Sequence, residues 1–161
     1  MPNEPNSGGL IQILLLFAIL IPAILFLLSQ QKTLQTISTG NRSMNPGLVW
    51  LQLIPIFGQY WQFRVVTAIA DSIQRQFQSR QDDSILGIPD AAAVEELGKR
   101  PTWGIGIAYC TLSVIGLLIN FAERGSSLSG LFTLAGMVCW VIYWVQLVGY
   151  KNKIVRLNTF A

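Results

Sequence analysis

Two pairs of adjacent carboxylates, Asp82–Asp83 and Glu95–Glu96, come nearest to a reactive site by residue type and spacing. Carboxylate oxygens bind divalent cations, so a cation site is the first chemistry to consider. The side chains of sequence neighbours rarely face one site, and no third ligand is spaced to join either pair. We therefore interpret both pairs as solvated loop charges.

Other reactive residue types are scarce. Histidine, the commonest general base and metal ligand, is absent from all 161 residues. Cys110 and Cys139 each lie within an apolar segment, where a thiol usually packs as a small apolar group. The sequence contains no Walker loop, dinucleotide fingerprint or HExxH motif. We expect no catalytic residue, no cofactor, no metal site and no enzymatic activity.

The composition indicates a membrane protein. The chain is 52% hydrophobic and 12% charged, whereas soluble domains typically carry about 25% charged residues. The net charge of +3 is spread over residues that flank the apolar segments, and no basic tract of the nucleic-acid-binding kind is present. We therefore expect the lipid bilayer, and not a nucleic acid, as the surrounding partner.

Three apolar segments are each long enough to cross a bilayer. They comprise residues 10–28, 103–122 and 131–150. As a helix, residues 10–28 would extend about 28 Å, against a hydrocarbon core of about 30 Å. The last segment is rich in Trp and Tyr and is followed by basic residues, which predicts a cytoplasmic C-terminus. The predicted fold is an all-α, multi-pass bundle with three full spans.

Small residues and a short turn predict how two of these spans pack. Residues 104 and 108, and likewise 106 and 110, are small and four apart, which allows another helix to approach closely. The polar turn at 123–130 is short, so the spans on either side of it should be antiparallel neighbours.

Residues 46–58 form an apolar segment interrupted by Pro55 and Gly58. Either residues 47–70 form one kinked span, which gives four full spans, or 46–58 is re-entrant and turns back to the same side. The re-entrant arrangement collects ten basic residues on one side and leaves only Arg124 opposite, so we favour it. A full crossing would also place several glutamines at depth, where a small bundle can hardly supply partners.

An amphipathic cytoplasmic helix is predicted over residues 59–78. Its apolar positions recur at spacings of three and four, while Arg64 and Asp71 fall on the opposite side. Asp71 and Arg75 are four apart, which favours an intrahelical ion pair. Arg64 either contacts an anionic lipid head group beside Trp61 or only extends to the interface. The candidate partner or lipid contacts are Trp61, Phe63, Arg64, Asp71, Ile73 and Phe77.

The remaining loop, residues 79–102, is predicted to be cytoplasmic and to contain one short helix at 91–97. Asp90 precedes this helix as an N-cap residue and Gly98 follows it. The loop is too small to form a domain, so we expect one membrane domain over residues 1–161.

Residues 40–80 resemble small multi-pass bacterial membrane proteins that have no assigned function. The resemblance is carried by MNPGLVWL at 44–51, LIPIFG at 53–58, WQF at 61–63 and ADS at 70–72, and less specifically by GIAYC at 106–110 and CWVIYWV at 139–145. It implies a bacterial inner-membrane location and no activity.

The expected function is that of a non-enzymatic membrane scaffold or accessory protein that docks a partner through the helix at 59–78. The alternative is a small oligomeric channel or transporter subunit, because one copy has too few helices to enclose a path. A homo-oligomer or another membrane protein is the expected partner.

Overall fold

The computed structural model describes residues 7–83, 100–122 and 127–159, and all regular structure in these ranges is helical. Three helices are long and apolar enough to cross a membrane, which confirms the prediction of an all-helical chain with three candidate spans. The elements are α1, Ser7–Thr36; a 3-10 turn, Thr39–Asn41; a 3-10 helix, Pro46–Leu53; α2, Phe57–Asp83; α3, Trp103–Ala122; and α4, Ser127–Thr159.

Two of the apolar segments belong to longer helices than the apolar pattern indicates. α1 passes through Pro22 and continues to Thr36, although its last turns are polar. These turns pack against the rest of the chain, since Gln30, Thr33 and Leu34 are fully buried, and the Thr33 hydroxyl is satisfied by a 2.8 Å bond to Ser29 O. α4 likewise extends to Thr159. The apolar segments therefore mark the candidate spans and not the helix ends.

Contacts at two glycines establish the direction of α3 relative to α4. A Cβ atom at Gly116 would lie 3.5 Å from Thr133 Oγ1, and one at Gly136 would lie 3.5 Å from Leu112 Cβ. Residues later in α3 therefore contact residues earlier in α4. The two helices are antiparallel neighbours, as the short turn between them predicted.

The predicted close approach is found at Gly106 and Cys110 but not at Gly104. Gly106 contacts the Val66 side chain of α2 and the Tyr143 ring of α4, and an added Cβ would lie 2.9 Å from ring atom Cε2. Cys110 is fully buried, whereas a Cβ at Gly104 would have no neighbour within 4 Å. Gly106 therefore allows α2, α3 and α4 to meet.

The chain reverses direction between the 3-10 helix and α2. Trp61 Nε1 donates a 2.7 Å hydrogen bond to Leu48 O, and Gly58 lies directly against the backbone of Gln52. Because residue 48 contacts residue 61 and residue 52 contacts residue 58, the 3-10 helix and the start of α2 run side by side in opposite directions. We call this unit, residues 46–66, the hairpin.

The break in the hairpin falls at residues 54–56. Ile56 adopts a left-handed φ of 65°, which is rare for a β-branched residue. The 3-10 helix begins at Pro46, and the Asn45 side chain caps it by accepting a 2.9 Å bond from the next free amide, that of Gly47. Residues 47–70 are therefore not one continuous helix.

α2 begins halfway along α3. Val66 packs against Gly106, and Gln62 accepts a hydrogen bond from Tyr109, so α2 and α3 are antiparallel. Continuing this register brings Phe57, the first residue of α2, level with the middle of α3. The hairpin therefore accompanies only half the length of α3.

Two buried clusters hold the helices together, one beside the second half of α4 and one at its middle, where Tyr143 lies. Residues 10–21 of α1 belong to neither cluster and are exposed. The first cluster is Leu27, Leu34, Ile37, Val49, Val65, Ile69, Ile73, Leu147 and Ile154, and the second is Phe26, Val66, Cys110 and Tyr143.

Candidate functional site

The apolar contact residues predicted on α2 pack inside the chain. Ile73 is fully buried in the first cluster, and Phe63 is partly buried against the second. Phe77 is half-buried, and its ring meets that of Tyr150 edge-on with centroids 6.3 Å apart. The apolar face of α2 is therefore largely covered by the chain's own helices.

Trp61 has a structural role in the hairpin. Its indole N–H is bonded to Leu48 O, and its ring stacks on Phe57 with centroids 5.4 Å apart. The polar atom that would have met a lipid head group is therefore used to join the two segments of the hairpin.

Asp71 forms an ion pair with a residue other than the one that the sequence spacing indicated. Its Oδ1 lies 3.2 Å from Arg100 Nε, so the predicted Asp71–Arg75 pair is replaced by a contact between α2 and the start of α3. Arg100 is remote in sequence, so helical spacing could not reveal it. Both side chains remain partly exposed, at 51% for Arg100 and 26% for Asp71.

The exposed side of α2 carries Arg64 and Arg75, and Asp71 lies between them. Arg100, which precedes α3, lies beside Asp71. Among the described residues, neither Arg64 nor Arg75 forms an ion pair. We call these four residues the charged strip. It presents three guanidinium groups and one carboxylate.

Glutamine and tyrosine side chains form a second polar group, inside the bundle. Tyr109 O–H donates a 2.6 Å bond to Gln62 Oε1, and Gln62 Nε2 donates a 2.8 Å bond to Gln59 Oε1. Gln52 Nε2 donates a 2.7 Å bond to Gln30 Oε1. Gln52 and Gln62 of the hairpin therefore find partners within this small bundle, and Gln59 is bonded through its Oε1.

These partners come from elsewhere in the chain, at separations of 47 residues for Tyr109–Gln62 and 22 for Gln30–Gln52. Periodicity within one helix carries no signal for such pairs. The sequence did contain one signal: a segment rich in glutamine lies among apolar helices, and buried glutamine side chains need hydrogen-bond partners.

The innermost polar atoms belong to Gln30 and Tyr143. Both side chains are fully buried, and Gln30 lies close to the Tyr143 hydroxyl. Gln30 Nε2 and Tyr143 Oη nevertheless make no hydrogen bond of good geometry with the described part of the chain. Unsatisfied polar atoms are costly inside proteins, so their adjacency is the most unusual feature of the interior.

The loop before the hairpin is tied to α2 by hydrogen bonds to polar side chains of that helix. Gln76 Oε1 accepts bonds from Ser38 N and Asn41 Nδ2, at 2.9 and 3.1 Å. Ser72 Oγ accepts a 2.8 Å bond from Ser43 N. These bonds hold the entrance of the hairpin beside the second half of α2.

Over residues 7–83, 100–122 and 127–159, no group of three metal-binding side chains is present. Glu95–Glu96 and the predicted helix at 91–97 lie outside the described residues, as do the side chains of Asp82–Asp83.

Comparison with known proteins gives no relative: no family model, no curated protein and no solved structure matches this chain.

Proposed function

We propose that this chain is a non-enzymatic integral membrane scaffold, in which three spans and a re-entrant hairpin present the charged strip of α2 to a partner. The single observation that carries the proposal is the division of α2 into two sides. Its apolar side is covered within the chain, while Arg64, Arg75 and Arg100 remain exposed beside one carboxylate. From Arg64 to Ser79, α2 is thus held against the chain's own helices, and its exposed side chains are the polar Arg64, Arg75 and Gln78.

The apolar tip of the hairpin supports a re-entrant placement. Ile56 is 91% exposed, and Leu53, Ile54 and Phe57 are also exposed. An exposed apolar tip is unfavourable in water and favourable in hydrocarbon. Because the tip is level with the middle of α3, the hairpin would end near the centre of the bilayer and return to the side that it entered.

This placement puts the second half of α2 at the membrane surface, on the side of the C-terminus. Basic residues favour the cytoplasmic side, which assigns this surface to the cytoplasm, and the bacterial inner membrane is the setting that we propose. Arg75 and Arg100 would lie among the lipid head groups, and Arg64 would extend toward them from slightly deeper.

The charge of the strip specifies the partner. Three guanidinium groups beside one carboxylate complement an acidic segment, and guanidinium groups bind carboxylates in bidentate fashion. We therefore propose an acidic segment of another membrane protein as the partner, with attraction that weakens as salt is added.

Co-purification after mild detergent extraction tests this proposal. Arg64→Glu/Arg75→Glu should lose a stoichiometric partner, while Lys32→Glu/Arg156→Glu, which changes net charge equally at other exposed positions, should retain it. Retention of the partner by both variants would refute docking through the charged strip.

An oligomeric channel or transporter subunit is the second candidate. One observation favours it, namely the run of hydrogen-bonded glutamine and tyrosine side chains inside the bundle. Conductance of the purified protein in planar bilayers distinguishes the two functions. A channel requires measurable conductance that changes in Gln62→Leu, and the scaffold requires none.

A further inference from the structure

A groove of about 720 Å³ follows the seam between α3 and α4. Gln59 lies at one end beside Tyr109, about a third of the way along α3, and Asn120 lies at the other. Between Tyr109 and Asn120, α3 rises about 16 Å, roughly half of a hydrocarbon core of about 30 Å. On the proposed placement, the groove thus occupies the half of the bilayer that the hairpin does not enter.

Three polar side chains in this groove lack partners at two depths. Gln59 uses its Oε1 to accept the bond from Gln62, but its amide nitrogen donates to no described residue. Ser113, which the register of α2 against α3 places level with Gln59, and Asn120, at the other end, likewise make no hydrogen bond within the described chain. Hydrocarbon cannot satisfy such groups, whereas water can.

We propose that this groove is a water-filled inlet that opens beside Asn120 and ends at Gln59, near the centre of the bilayer. Its volume is many times the roughly 30 Å³ that one water molecule occupies. The polar side chains give the water hydrogen-bonding partners at both depths. The Gln62–Tyr109 bond closes the inner end, because Gln62 is buried behind Gln59.

The remaining walls of the groove are apolar and include Leu112, Leu117, Leu134 and Met137. A lipid acyl chain could fill a space with such walls, but it would leave the amide of Gln59 and the hydroxyl of Ser113 without partners. The three unpartnered polar groups therefore favour water over an acyl chain.

Cysteine accessibility in proteoliposomes tests the inlet. In a chain with Cys110 and Cys139 replaced by alanine, single cysteines are placed at 59, 113 and 120 and treated with a charged methanethiosulfonate from the side that labels Ser127→Cys. Thr111→Cys is the matched control, because Thr111 lies at the depth of Ser113 but is exposed outside the groove. Ser113→Cys should react at least about tenfold faster than Thr111→Cys, because only a hydrated thiol ionises readily.

Gln59→Cys should also react faster than the control, though more slowly than Asn120→Cys, because it lies at the inner end. Equal rates at 113 and 111, with fast reaction only at 120, would show that hydrocarbon fills the groove and would overturn the inlet. Insertion is checked in a second chain that carries alanine at the tested position together with Ser127→Cys, and loss of labelling there identifies a position that cannot be replaced. The other positions are then compared with Thr111→Cys, and reaction no faster than at Thr111→Cys overturns the inlet.

Discussion

The Tyr109 hydroxyl donates a 2.6 Å hydrogen bond to Gln62 Oε1 across 47 residues of sequence. This bond joins the first half of α3 to the returning helix of the hairpin. Gln62 is 6% exposed, so its amide could not easily exchange this partner for water. The position of α2 against α3 thus depends on a polar contact as well as on the packing at Gly106.

Removing this hydrogen bond should destabilise the bundle. Tyr109→Phe leaves Gln62 Oε1 without its donor, and we expect a loss of about 1–3 kcal/mol in the free energy of unfolding. Tyr60→Phe is the control, because Tyr60 is 66% exposed. Thermal unfolding in detergent, followed by tryptophan fluorescence, measures the difference. Equal midpoints for the two variants would mean that the bond contributes nothing to stability.

Closing the hairpin should require glycine at position 58. A methyl group there would overlap the Gln52 backbone, which cannot move aside as a side-chain end can. We expect Gly58→Ala to cost about 1–3 kcal/mol, as overpacked sites do. Gly104→Ala adds the same atom where no neighbour lies within 4 Å and should leave the unfolding midpoint unchanged or slightly higher. A Gly58→Ala protein as stable as the Gly104→Ala protein would contradict this packing.

The role of Phe77 can be determined with one acidic substitution. Because its half-buried ring packs on Tyr150, Phe77→Asp should lower stability by up to about 1.5–3 kcal/mol, the value for fully burying such a side chain. Gln78→Asp, at the exposed neighbouring position, should have little effect. Size-exclusion chromatography is run in parallel. If Phe77→Asp dissociates a complex and leaves the unfolding midpoint unchanged, the apolar side of α2 binds a partner after all.

Membrane topology should follow from impermeant thiol labelling of intact cells. In a variant without Cys110 and Cys139, a single cysteine at Ser127 should react from outside, and one at Ser38 should not. The amide of Ser38 is bonded to Gln76, which places it at the C-terminal end of α2. Outside labelling at Ser38 with none at Ser127 would invert the proposed orientation.

Local sequence patterns determined the helical content and left the tertiary pairings open. The apolar segments predicted three candidate spans, and small residues at 106 and 110 predicted a close helix contact, because both signals are local to one helix. The ion pair of Asp71 with Arg100 and the bond of Gln62 with Tyr109 depend on how separate helices meet, which no spacing within α2 encodes. For the same reason, the pattern at Ile73 and Phe77 predicted an apolar face but not which surface covers it.

On the proposed placement, the hairpin would also make the molecule unequal in cross-section. Five of the described helical segments would share the leaflet on the C-terminal side, and of these α1, α3 and α4 would cross the other. A protein that takes up more area in one leaflet expands that leaflet, and the bilayer relieves the difference by becoming convex on that side. This shape would concentrate the chain in membranes curved toward the surface that carries the charged strip, so a re-entrant hairpin would couple its location to membrane curvature.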